Sequence, residues 1–229
     1  VEGLATTKAG IKTMANISKQ SSAEERILEA ATAEFATRGY FGARTQAIAD
    51  AAGVNKAMLH YYFRSKENLY GRVIKAAFAR ILTQVGAAWL DAGPLKTRLQ
   101  GVVDSYMDNY ERNPGFLKII LREVVDGGDR FRRIFKEMQD KDSLSAEWTP
   151  LELVGRVAEE LGLSPGETVH LLINLIGMCV ISFTSPPLLE SVLNFDVSDF
   201  EAFLKERRVA IKSMMLAYVR TIMDRTIKE

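Results

Sequence analysis

The sequence is poor in the residues that carry most protein chemistry. Its 229 residues include one cysteine, Cys179, so no intrachain disulfide can form. A lone thiol in an apolar run reads as a small core hydrophobe in a reducing, cytoplasmic setting. The two histidines, His60 and His170, are too far apart for a His-Glu-x-x-His zinc site. Cys-x-x-Cys, Gly-x-Ser-x-Gly and phosphate-cradling glycine loops are all missing, and carboxylates are scattered at ordinary helix-surface density. These absences argue against an enzyme, a metal and a cofactor. The longest apolar-dominated run, residues 171–183, is shorter than the roughly 20 residues a bilayer requires, and no secretory signal pattern opens the chain, so no membrane partner is expected.

What remains is a globular composition, 47% hydrophobic, enough for one large domain or two modest ones. The net charge of +1 is unevenly divided. Residues 1–72 hold ten Lys and Arg against seven Asp and Glu, and residues 73–229 hold twenty against twenty-two. The N-terminal part is therefore the better place for a polyanion to dock.

Sustained period-2 alternation and internal repeats are both absent, and the punctuation is helical throughout. Ser-x-x-Glu capping boxes stand at 22–25, 164–167 and 198–201. Gly93-Pro94 and Thr149-Pro150 place proline in a first turn, and Pro114 separates two helices. Gly39, Gly53 and Gly162 stand where helix ends need a left-handed residue. The fold class is all-α, with helices expected over 23–38, 45–52, 55–61, 65–89, 94–111, 114–125, 129–142, 150–161, 165–184 and 199–226. Residues 1–21 read as a flexible arm, partly sequence ahead of a native start at Met14. The run DRFRR at 129–133 reads as a solvated helix start.

Residues 45–64, TQAIADAAGVNKAMLHYYFR, form one unit. Two helices that cross steeply need a small residue at the crossing, here Ala49, and a glycine in the turn, here Gly53. Ile48, Val54 and Leu59 then bury the pair against the first helix. Four consecutive rings follow, His60 to Phe63, with Arg64 and Lys66 beyond. A helix facing only a core would space its rings by three and four. Rings on several sides suit a recognition helix, whose leading residues meet base edges while polar ring tips meet phosphates. Lys56 can donate to guanine, Asn55 can bond adenine or phosphate, and Ala57 can touch a thymine methyl. His60, Tyr61 and Tyr62 offer donors at the ends of stiff rings, and Phe63 is the buried anchor. Thr45, with Gln46 beside it, and Lys66 open the flanking helices toward the backbone. A tight helical hairpin used for protein contacts, a helical adaptor, is the rival reading.

Residues 26–70 resemble the DNA-binding domain of the tetracycline-repressor (TetR/AcrR) family of transcriptional regulators. The matching features are a first helix ending in Phe-x-x-x-Gly-Tyr, a Thr before Ile-Ala, an Ala-Gly-Val turn and a Tyr-x-Phe-x-x-Lys run. One departure is LHYYF where the family usually has LYYHF, which gives His60 a shorter reach to a phosphate than tyrosine has. The resemblance implies a three-helix DNA-binding domain over 22–70 and a larger helical domain over 71–229 that binds a small effector and dimerises. It implies double-stranded operator DNA, an effector and a second copy of the chain as partners.

Beyond residue 70 no specific motif matches. Residues 165–184 are apolar nearly all round, as is 199–226, so a partner chain or the chain's own core must cover them. Leu172, Ile176, Val180, Ile211, Met215, Tyr218 and Ile222 are the candidate dimer residues. Trp89, Tyr106, Tyr110, Phe116, Phe131 and Met138 are candidates to line an effector site or to form core. His170 and Asn174, one turn apart on an apolar helix, are expected to bond each other, a dimer mate or an effector.

Overall fold

The structure, a computed structural model, describes residues 8–139 and 149–226, with side chains over 23–139 and 149–224. Among the described residues every regular element is a helix: α1 Lys8–Gly42, α2 Thr45–Ala51, α3 Lys56–Phe63, α4 Lys66–Trp89, α5 Leu95–Arg112, α6 Pro114–Val125, α7 Asp129–Met138, α8 Pro150–Leu161, α9 Pro165–Thr184, α10 Pro186–Leu193 and α11 Phe200–Thr226. The backbone of residues 8–21 thus belongs to α1, whose Ser22 lies outside the described side chains. The helix expected to end at Gly39 does turn there, with φ 67°, before the helical pattern resumes to Gly42.

The other start signals are borne out with adjustments. Ser164 and Glu167 form a reciprocal capping box. Thr149 and Glu152 form another that the Thr-Pro pair had partly masked. At the start of α11 the cap is Asp199, whose Oδ1 accepts from the Ala202 N–H at 2.9 Å, one residue later than the expected Ser198. The short α10 was not foreseen. It has no buried residue, and its apolar Leu188, Val192 and Leu193 are exposed.

The chain divides into two compact units, Val1–Ile74 with Lys118–Gly127, and Lys75–Leu117 with Gly128–Glu229. In the first, Ile27, Ala31 and Phe35 recur at steps of four and are wholly buried with Ile48 and Ala49. Full burial of each large side chain there contributes roughly 1.5–3 kcal/mol. The last turns of α6 belong to this unit. Arg122 donates to the Thr37 carbonyl at 3.0 Å, and the Tyr70 hydroxyl donates to Glu123 Oε1 at 2.9 Å.

In the second unit, α11 and α9 pack on α5 and on each other, with Ile211, Met215 and Ile222 buried. Arg208 bonds Asp108 and Glu111, and Lys212 bonds Asp104, tying α11 to α5. Phe78 meets Phe116, Phe131 and Phe135 with ring centroids 5.4, 5.4 and 4.8 Å away. Arg98 donates to the Trp89 carbonyl, lies 4.5 Å from the Trp89 ring centroid and forks onto Glu160. That fork, more than any other influence, holds the Glu160 carboxyl below its usual range.

Candidate nucleic-acid interface

The site begins with the turn between α2 and α3. Gly53, at φ 64°, donates to the Asp50 carbonyl, and Val54 donates to the Ala49 carbonyl at 3.0 Å. This pair of bonds closes α2 in a Schellman motif. Arg26 of α1 donates to the Ala52 carbonyl at 3.1 Å and pins the turn from below. Arg44 donates its N–H to Glu34 Oε1 at 3.1 Å, fixing the entry to α2 on α1. Leu59 and Phe63 are the buried side of α3.

The opposite side of α3 is open. Lys56, Ala57, His60 and Tyr61 are exposed, Tyr61 to 61%, while Tyr62 is half-buried and sits edge-on to Tyr61 at 5.5 Å. Gln46 is exposed on α2, where its amide donates to Asp50 at 2.8 Å, and Thr45 is half-buried. Two expected contacts have other work. Asn55 Oδ1 accepts the Met58 N–H at 2.7 Å, so Asn55 caps α3 and cannot offer adenine both of its amide atoms. Asparagine immediately before a helix was the available signal. Lys66 donates to the carbonyls of Phe41 (3.2 Å) and Ala43 (2.8 Å) and lies over the Tyr40 ring. Its ammonium closes the end of α1.

What the geometry offers is a short helix, packed on α2, whose outer face presents cations and phenols without a carboxylate among them. Residues 27–73 match the family described as bacterial regulatory proteins, tetR family. Over 200 residues the chain is 26% identical to the HTH-type transcriptional repressor NicS of Pseudomonas putida, covering 86% of this chain and 91% of that protein. It is 39% identical over 90 residues to the HTH-type transcriptional regulator RutR of Escherichia coli, covering 39% of this chain and 42% of that one. The chain carries a TetR-family DNA-binding domain over residues 27–73. It is a DNA-binding regulator of transcription. The fold extends the likeness: the SCO4942 protein of Streptomyces coelicolor superposes with a TM-score of 0.54 at 24% identity, over 83% of this chain and 94% of that one.

Outside the TetR-family domain, several expected roles change. Trp89 is buried, with the Arg98 guanidinium over its ring. Phe116 and Met138 are buried core, and Phe131 belongs to the Phe78 ring cluster. His170 and Asn174 are exposed, not buried, on the outer face of α9. Ile211, Met215 and Ile222 are buried within the chain's own core. Leu172, Val180 and Tyr218 are half-buried, and Ile176 is 38% exposed. Other open apolar positions on these helices include Val169, Ile173 and Ile181 on α9 and Val209 and Met214 on α11.

Tyr106 and Tyr110 have ring centroids 6.3 Å apart, and burial pushes both phenols up, Tyr106 to about 12. Between them in sequence, Asn109 is buried with no hydrogen-bond partner on Oδ1. Gln84 Oε1 on α4 is in the same condition. Sequence reasoning missed both, because an orphaned amide is defined by what surrounds it.

Proposed function

We propose that the protein is a repressor that binds a near-palindromic operator as a two-fold dimer and is released by a small, mainly apolar effector. The observation that carries this reading is the open face of α3, where Lys56, Ala57, His60 and Tyr61 stand clear of the core. Ala57 and Lys56 lead the helix and suit base edges; the phenols suit phosphates. The family relative NicS is itself described as a repressor.

The second copy is expected on the outer faces of α9 and α11. By length and composition α9 is apolar enough to cross a membrane, a property its 13-residue apolar core had hidden, yet only 28% of its most apolar window is buried. In a cytoplasmic regulator such a face needs cover, and an isologous dimer supplies it. Two recognition helices would then read half-sites roughly 34–36 Å apart or at a larger spacing.

The effector is expected among α4, α5 and α9. Tyr106 and Tyr110 offer apolar walls, and Asn109 and Gln84 offer acceptors that await a donor. Helix α4 runs from Lys66 to Trp89, so one helix contributes residues to both units and is the expected route from effector to operator.

Selection of bound fragments from the source genome tests the reading. A shared near-palindrome supports it, and failure to bind any duplex at low salt favours the helical adaptor. With an effector in hand, operator DNA must weaken effector binding by the factor by which effector weakens operator binding. Equal effector affinities with and without operator would remove the proposed switch.

A further inference from the structure

Arg64 ends the recognition helix in a conformation that L-residues adopt reluctantly. Its φ of 62° and ψ of −45° combine with a hydrogen bond from the Ser65 N–H to the Phe63 carbonyl (2.6 Å). Together these make a γ-turn of the positive-φ kind, the rare and strained form. Among the described residues, the other non-glycine residue with positive φ is Asn194, a type at ease there. Glycine would occupy position 64 without steric penalty, as it does at Gly39, Gly53 and Gly162. Strained backbone of this kind persists where surrounding structure fixes it, and it collects at functional sites. What arginine has and glycine lacks is the side chain.

That side chain lies over the Tyr61 ring, 5.8 Å from its centroid, at an exposed position. Elsewhere in the same unit Arg26 and Arg122 bond carbonyls, and Arg38 and Arg72 pair with glutamates. Among the described residues the Arg64 guanidinium has no carboxylate partner. Lys56 and His60, one turn apart, lie exposed on α3 beside Tyr61, and Arg64 follows at the helix's C-terminal end. A planar fork of donors stacked beside a phenol O–H fits the oxygens of a phosphodiester.

We propose that Arg64 is a further DNA-contact residue, its guanidinium and the Tyr61 phenol together holding one backbone phosphate at the end of α3. The strained turn is kept because it directs this side chain along the DNA face. The inference rests on the reading of α3 as the helix that meets DNA.

The experiment titrates Arg64→Gly and Arg64→Lys, beside Lys56→Ala and Tyr61→Ala, against a labelled duplex of mixed sequence between about 50 and 200 mM salt. Thermal unfolding of each variant is followed in parallel. Arg64→Gly is expected to unfold at no lower temperature than wild type, since strain relief offsets the looser unfolded chain. It should nonetheless bind about five- to tenfold more weakly at the lowest salt, with a salt slope shallower by about one unit. Arg64→Lys should keep the slope and lose only part of the affinity. Wild-type affinity and slope in Arg64→Gly, with Lys56→Ala and Tyr61→Ala both weakened, would overturn the proposal and leave the α3 reading standing. Reduced affinity with an unchanged slope and a lower unfolding temperature would also overturn it, by making Arg64 a turn residue only. Unaltered binding in all the variants would remove the α3 reading and this inference with it.

Discussion

Tyr70 and Glu123, 53 residues apart, share a buried hydrogen bond of 2.9 Å. Through it the last turns of α6 become part of the DNA-binding unit, alongside the Arg122 bond to the end of α1. Glu123 is 2% exposed, so its carboxyl group depends on such partners. Tyr70→Phe is therefore expected to lower stability by about 1–3 kcal/mol, read as a shift in urea midpoint at constant slope. An unchanged midpoint would mean that the hydroxyl is replaceable there.

Lys56 and Lys66 should separate cleanly. Lys56 is exposed on α3, whereas Lys66 holds two carbonyls at the end of α1. Lys56→Ala is expected to relax base preference at wild-type stability. Lys66→Ala should lower stability by about 1–2 kcal/mol as well as weakening DNA binding. Calorimetry with a duplex titration checks both, and equal unfolding temperatures for the two variants would contradict the assignment.

The faces of α9 and α11 make a paired prediction. Ile173 is 61% exposed and Met215 is 2% exposed. Ile173→Asp should yield folded monomers, because the charge stays in water once the partner leaves. Met215→Asp should unfold the chain, because the charge has nowhere to go. Sedimentation and circular dichroism distinguish these results, and a dimeric Ile173→Asp would move the interface elsewhere.

Alkaline pH should expose the buried acids of the second unit. Burial raises Tyr106 from 10.0 to about 12 and Cys179 from 9.0 to about 12, and raises Tyr110 further. Because these folded-state values exceed the unfolded ones, their contribution is complete below about pH 9 and is lost progressively from there toward pH 12. Each titrating group can steepen that loss by up to about 1.4 kcal/mol per pH unit. Tyr106→Phe should flatten the decline in urea midpoint above pH 10. A decline of unchanged steepness would place the sensitivity in other groups.

Local features were legible in the sequence. Periodicity located Ile27, Ala31 and Phe35; glycine and proline located the ends at Gly53, Pro114 and Gly162. The helix-turn-helix was legible because each requirement, a small residue at 49 and positive φ at 53, is met by a residue type. Partners distant along the chain were not. Nothing beside Glu123 in sequence announces Tyr70, and nothing near Trp89 announces the Arg98 guanidinium on its ring. The two faces of α9 also escaped reading, since a helix apolar nearly all round has no stripe to tell Leu171 inside from Ile173 outside.

A methyl group placed on Gly53 would meet no atom within 4 Å. At the turn between the two helices that address DNA, handedness and not space is therefore what opposes a first side-chain carbon. An L-alanine there has room for its methyl group and is opposed by the positive φ instead. Among natural residues, acceptance at this position should follow ease in the left-handed region, asparagine ahead of alanine and alanine ahead of valine.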